Sequence, residues 1–285
     1  MDGTFTSIPT IFAQLYIIHI QVNNEFMPQL FCMLPDKQLA TYQRLFQLLQ
    51  QQAAVLNDRL QPAVIHIDFE QAVIAAVRAE FGIEPTGCLF HFSQNIFRHL
   101  QTVGLQMEYN TNNPPELRRF VRRLLALPLV PPIRIDQAFR ANVNNAPDLE
   151  GCVEMIAYVR NTYVDNAYAL YGREIWNCFG SPERTTNACE GYHTVLNKSF
   201  QGRHPDIFTF ITFLKDQEAE KERRIQQLEF GAPPKKRKAK YILVNEALTL
   251  SIMVYFDQAM PNIARLLQNM DAVFHQLYDV KQYEI

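Results

Sequence analysis

Residues 15–34, LYIIHIQVNNEFMPQLFCML, contain two runs rich in β-branched and aromatic side chains, Leu15 to Val22 and Phe26 to Leu34, parted by VNNE. Such runs favour extended chain, and the polar tetrapeptide supplies a turn, so the stretch reads as a β-hairpin. Working outward, Pro35-Asp36 is a helix start, and Leu39, Tyr42, Leu45, Phe46 and Leu49 recur at helical spacing, predicting a helix over 38–52. Ala63 to Ile67 (AVIHI) reads as a short buried strand, 69–81 as a helix closed by Gly82, 86–90 as a strand and 92–100 as a helix. Asp2, in D-G-T-F, stands at the edge of a first strand. The order β-β-β-α-β-α-β-α defines an α/β unit.

Beyond residue 103 the strand signal fades, and Pro-Pro at 114 and 131 with Asn-rich turns at 110–113 and 142–145 separates helical segments. The expected organisation is an α/β core over 1–102, an all-helical insertion over 103–183, and a return to the core over 184–230 with a helix from Pro205 to Leu228. A basic linker, 231–240, and C-terminal helices over 241–285 complete it. The 285 residues, 48% hydrophobic and 12% aromatic, can bury a sizeable core. A net charge of -2 excludes a uniformly basic nucleic-acid binder, so any DNA contact must come from local patches. Five scattered cysteines predict a reducing compartment rather than a disulfide scaffold. No apolar run approaches the roughly 18 residues of a membrane span, and the N-terminus lacks the pattern of a secretion signal.

Three carboxylates stand out: Asp2 in D-G-T-F, Asp68 after AVIHI in H-I-D-F-E, and Glu190 in T-T-N-A-C-E-G-Y-H. Each has a local alternative. Asp68 with Gln71 has N-cap spacing, and Asn187 with Glu190 has the spacing of a capping box. Phosphodiester chemistry, by contrast, needs carboxylate oxygens gathered around hard divalent cations.

Taken together, DGTF at 2–5, P-x-x-F-x-Q-L-Y-x-x-H from Pro9 to His19, LPDK at 34–37 with Tyr42 and Phe46, D-F-E at 68–70, GCLFHFSQN at 87–95, Trp176-Asn177 and R-T-T-N-A-C-E-G-Y-H at 184–193 resemble the MULE (Mutator-like element) transposase domain. The resemblance runs in order over most of residues 2–230. It implies an RNase H-like mixed sheet with helices, interrupted by a helical insertion, for which the 122-residue interval from Asp68 to Glu190 leaves room. It further implies a DDE-type transposase: Asp2, Asp68 and Glu190 hold two Mg²⁺ (or Mn²⁺) ions, water nicks double-stranded DNA at an element's end, and a 3′-hydroxyl is joined to target DNA. Such enzymes often act as homodimers. Family members usually carry a DNA-binding region and several apolar strand residues ahead of the first carboxylate. Here only Met1 stands before Asp2, so weak or no activity is expected of this chain as it stands. The alternative is a domesticated, non-catalytic nuclear DNA- or chromatin-associated regulator; a general RNase H-like nuclease fits the later motifs less well.

Other residues carry paired readings. Cys88 and His91 form the C-x-x-H that also marks the family; with His193 they are a candidate zinc set, or serve packing and hydrogen bonding, since two ligands do not make a zinc site. Trp176, the single tryptophan, either stacks on a base swung out of the duplex, as the resemblance implies, or belongs to the core. Arg118, Arg119, Arg122 and Arg123 share one helix and offer phosphate contacts or a solvated face. Lys235, Lys236, Arg237, Lys238 and Lys240 follow Gly-Ala-Pro-Pro and read as a nuclear import signal for an import receptor, or as a nonspecific DNA-binding tail.

Overall fold

In the computed structural model of the chain, the structure describes residues 1–23, 25–165, 167–181, 184, 187–235, 242–243, 246–247, 250, 262–263 and 265–269. Of Asn187, Ala188 and Glu190 it describes the backbone alone. The fold is mixed α/β, and the chain divides into two compact units, Met1–Cys88 with Thr185–Lys236, and Leu89–Arg184 with Arg237–Ile285.

In the first unit β1 (Asp2–Thr4), β2 (Gln14–Val22) and β3 (Glu25–Leu34) form an antiparallel sheet in that order. Pro28, which cannot donate to a ladder, is accommodated where the register shifts between Ile18 and His19, leaving Gln29 as the extra residue of a bulge. A parallel pair follows, β4 (His66–Ile67) and β5 (Thr86–Gly87), separated from β3 by α1 (Leu39–Val55) and from each other by α2 (Gln71–Phe81). The Met1 ammonium donates to the His66 carbonyl at 2.6 Å, bonding the start of β1 to β4. Side chains alternate across β2. On one face Leu15 and Ile17 pack with Ile8 and with Tyr192, Leu196, Phe210 and Leu214 from α9 (Asn187–Phe200) and α10 (Ile207–Glu229). On the other, Tyr16 meets Tyr42 of α1 edge-on at 5.3 Å, and α1 meets α2 through Phe46 and Phe81. The sheet is thus covered on both faces. Local signals fix the helix ends. Asp36 accepts from the Gln38 amide and Thr41 hydroxyl at the start of α1, Asp206 caps α10, and Gly82 closes α2 at φ 66°.

The second unit is helical among its described residues: α3 (Leu89–Thr102), α4 (Gln106–Thr111), α5 (Pro115–Leu125), α6 (Ile135–Val143), α7 (Glu150–Val159), which runs on into a π-helical turn, Arg160–Val164, and α8 (Arg173–Trp176). No helix among the described residues is long and apolar enough to cross a membrane.

The element order of the first 102 residues is the one the periodicity predicts, but two strands are shorter than expected. Ala63 and Val64 are exposed, leaving only His66–Ile67 in β4. The apolar run after Thr86 turns helical at Leu89, because Leu89, Phe92, Ile96 and Leu100 bury one helical face. A short apolar run does not by itself distinguish the two states.

Candidate active site

Asp2 lies on β1 opposite Ile17, on the face of the sheet that α9 covers, and is 4% exposed. Its Oδ1 accepts the Gly3 amide at 2.8 Å, and its Oδ2 lies 3.8 Å from His193 Nδ1 on α9. Asp68 follows directly on β4, and its Oδ1 accepts the Glu70 amide at 3.2 Å. That i to i+2 bond is an Asx-type turn rather than a helix cap, since Glu70 is the residue that precedes α2. Both aspartates act on the enclosed Tyr16. Its hydroxyl is held well above the usual tyrosine range by burial first, then by the charges of Asp68, Tyr42, Asp2 and Glu70.

Glu190 falls on α9, but its side chain lies outside the described residues. The residues around it dock that helix. Cys189 Sγ is 3.2 Å from His19 Nδ1 on β2, Tyr192 packs on Phe31 at 5.6 Å, and Leu196 enters the core. Burial first, then the positive charges of the N-terminus, His193 and Lys221, holds His19 at about 3, so its ring is neutral.

Behind β1 and β4, on the α1/α2 side, runs a buried polar chain. Gln14 Nε2 donates to the Tyr42 hydroxyl at 2.6 Å and to the Asp36 carbonyl at 3.3 Å, and Tyr42 donates to Glu70 Oε1 at 2.8 Å. Gln14 and Tyr42 are fully buried. Burial raises the Glu70 carboxyl; the Tyr42 bond opposes this and the Asp68 charge adds to it. Gln14, Tyr42 and the glutamate of D-F-E fall within the motifs quoted above, but nothing in the sequence joins them to one another.

Among the described residues no three of His, Cys, Asp and Glu stand together as a set that could hold a metal ion. Asp2 and Asp68 supply the hard oxygen donors that Mg²⁺ or Mn²⁺ requires, and with the Glu190 carboxylate the donor set fits such ions in chemical type. Cys88, buried immediately after β5, and His193 belong to the first unit, and His91, in the first turn of α3, to the second.

Trp176 is 1% exposed, stacked on Phe92 at 5.7 Å, with its Nε1–H donated to the Tyr163 carbonyl at 3.0 Å. In this conformation neither face is open to a base. Of the α5 arginines, Arg118 donates to the carbonyls of Tyr109 and Asn110 at the end of α4, Arg122 is buried, Arg123 is half-buried and Arg119 is exposed. Lys235 donates its amide to Glu25, which also receives Arg224; Lys236, Arg237, Lys238 and Lys240 lie outside the described residues.

The first unit is thus a mixed α/β domain with one aspartate on β1 and another just past β4. Residues 1–95 are similar to the MULE transposase domain, whose family model matches that stretch. The match takes in Asp2, Asp68, Cys88 and His91 and ends before Trp176, Glu190 and His193. No curated protein and no solved structure matches the chain.

Proposed function

We propose that the first unit is the RNase H-like catalytic core of a MULE-type transposase, with Asp2, Asp68 and Glu190 as its acidic triad. The observation that carries this reading is the placement of Asp2 and Asp68 on β1 and just past β4, both acting on Tyr16, inside the stretch that matches the MULE model. The antiparallel β1-β2-β3 sheet, the parallel β4-β5 pair and a helix carrying Glu190 after a long helical excursion are consistent with it.

Asp2, Asp68 and Glu190 would hold Mg²⁺ or Mn²⁺. Bound there, the ions would supply activation of the attacking oxygen and stabilisation of the leaving one. The Gly3 amide fixes one Asp2 oxygen, the Glu70 amide one Asp68 oxygen, and the contacts flanking Glu190 seat α9 on the sheet. In the first step water attacks phosphorus in line, the P–O3′ bond breaks, and the freed 3′ oxygen takes a proton. In the second that 3′-hydroxyl attacks target DNA, forming one P–O bond as another breaks. The basic run from Lys235 to Lys240 would direct the chain to the nucleus through an import receptor.

The test is incubation of the purified chain with labelled duplex DNA and Mg²⁺ or Mn²⁺, beside Asp68→Ala and Glu190→Ala. Weak cleavage that needs the ion and vanishes in both variants is expected. DNA binding without cleavage in the parent chain overturns the catalytic reading and supports the non-catalytic, DNA-associated one.

A further inference from the structure

We infer that Gln14, Tyr42 and Glu70 form a positioning strut that sets Asp2 and Asp68 relative to one another, with Tyr42 as its centre. This rests on the reading of the two aspartates as reactive acids. Each aspartate is held by a backbone amide from a nearby residue, Asp2 by Gly3 and Asp68 by Glu70. Gly3 abuts one end of the buried chain, and Glu70 is the other end. At one end the Gln14 side chain fills the space a Cβ on Gly3 would take, with Oε1 2.5 Å from that position. At the other, the Tyr42 hydroxyl holds the Glu70 carboxylate. Between them Gln14 and Tyr42 are joined at 2.6 Å in a fully buried environment.

The strut crosses from β2 through α1 to the loop before α2, so it ties together parts that, among the described residues, the Met1–His66 backbone bond also links. It also gives one physical reason for residues from four separate stretches: the glycine of D-G-T-F, the glutamine of Q-L-Y, Tyr42 and the glutamate of D-F-E. A buried hydrogen-bonded chain of this kind fixes geometry because any member that rotates leaves its neighbour unsatisfied. Outer partners of metal-binding carboxylates act in the same way on metal affinity.

Tyr42→Phe keeps the ring packing and removes both hydrogen bonds, and is compared with Glu70→Ala and Glu70→Gln in the full chain. Three quantities are read: amide hydrogen exchange, the divalent-ion concentration for half-maximal DNA cleavage, and the melting temperature. In Tyr42→Phe and Glu70→Ala, exchange at residues 2–4 and 68–71 should rise about fivefold, and the half-saturating ion concentration about 10- to 100-fold. Glu70→Gln, which retains an oxygen for Tyr42, should stay near the parent. A role in packing alone would lower the melting temperature without moving either local reading, and that result overturns the strut. So does a Glu70→Gln as defective as Glu70→Ala beside a silent Tyr42→Phe, which would mean that Glu70 acts by its charge. If the parent chain cleaves no DNA the transposase reading fails, while the exchange measurement still decides the strut.

Discussion

Gly3→Ala measures how closely β1 is fitted to its neighbour. The added methyl would stand 2.5 Å from Gln14 Oε1, well inside any ordinary contact. That oxygen ends a flexible side chain, which could in principle swing aside. Gln14 is fully buried, however, and its Nε2 is committed to Tyr42 and Asp36. Rotation forfeits both bonds, each worth about 0.5–1.5 kcal/mol net, so the substitution should cost about 1–3 kcal/mol. In a Gln14→Ala background the obstacle is gone, and the same methyl should cost less than about 0.5 kcal/mol, giving a coupling of about 0.5–3 kcal/mol between the positions. Urea unfolding of the four proteins, followed by hydrogen exchange of peptides spanning residues 1–34, measures this; fluorescence of the single tryptophan, Trp176, would report on the other unit. An equal cost of Gly3→Ala in both backgrounds refutes the close fit.

Three further outcomes are expected. Burial holds His19 at about 3 against an ordinary 6.5, so the unfolded chain binds a proton there that the folded one does not. The site leaves stability unchanged above pH 6.5 and withdraws it as pH falls from 6.5 toward 3, by about 2–3 kcal/mol near pH 4.5; denaturation series on the parent and His19→Gln should show that difference, and parallel pH profiles would rule it out. Trp176→Phe removes the hydrogen bond to the Tyr163 carbonyl and should cost about 1–3 kcal/mol in thermal unfolding followed by circular dichroism, with DNA affinity unchanged. The reverse pattern would place the indole on DNA. Burial pushes the half-buried Cys32 thiol up to about 11, so its alkylation rate should keep rising about tenfold per pH unit past pH 9; a plateau near pH 8.5 would contradict this.

Much of the α/β unit was legible because its period changes along the chain, from 2 in Leu15–Val22 to 3.6 in the run from Leu39 to Leu49. Boundaries were less legible. Leu89 and Phe90 look like strand by composition, and only the burial of Phe92, Ile96 and Leu100 on the same side makes them the start of α3. Asp68 looks like a helix cap until its oxygen is seen to hold Glu70 rather than an amide of the helix. At the candidate site, the acids could be named from their motifs. The buried chain behind them could not, because Tyr42 lies 28 residues from Gln14 on one side and 28 from Glu70 on the other, and no local pattern records a contact over that separation. Trp176 shows the converse: a lone aromatic in a helical segment says nothing of whether its ring faces solvent, and here it meets Phe92.

The first unit is built from two pieces of chain, with the 96 residues from Leu89 to Arg184 made in between. At roughly 5–20 residues per second, a ribosome spends about 5–20 s on that stretch. During it the nascent hairpin offers Leu15 and Ile17 to water with α9 and α10 still unmade. Chaperone demand should therefore peak in that window. At that rate Asp68 follows Asp2 by about 3–13 s, and Glu190 comes only after the whole second-unit stretch from Leu89 to Arg184.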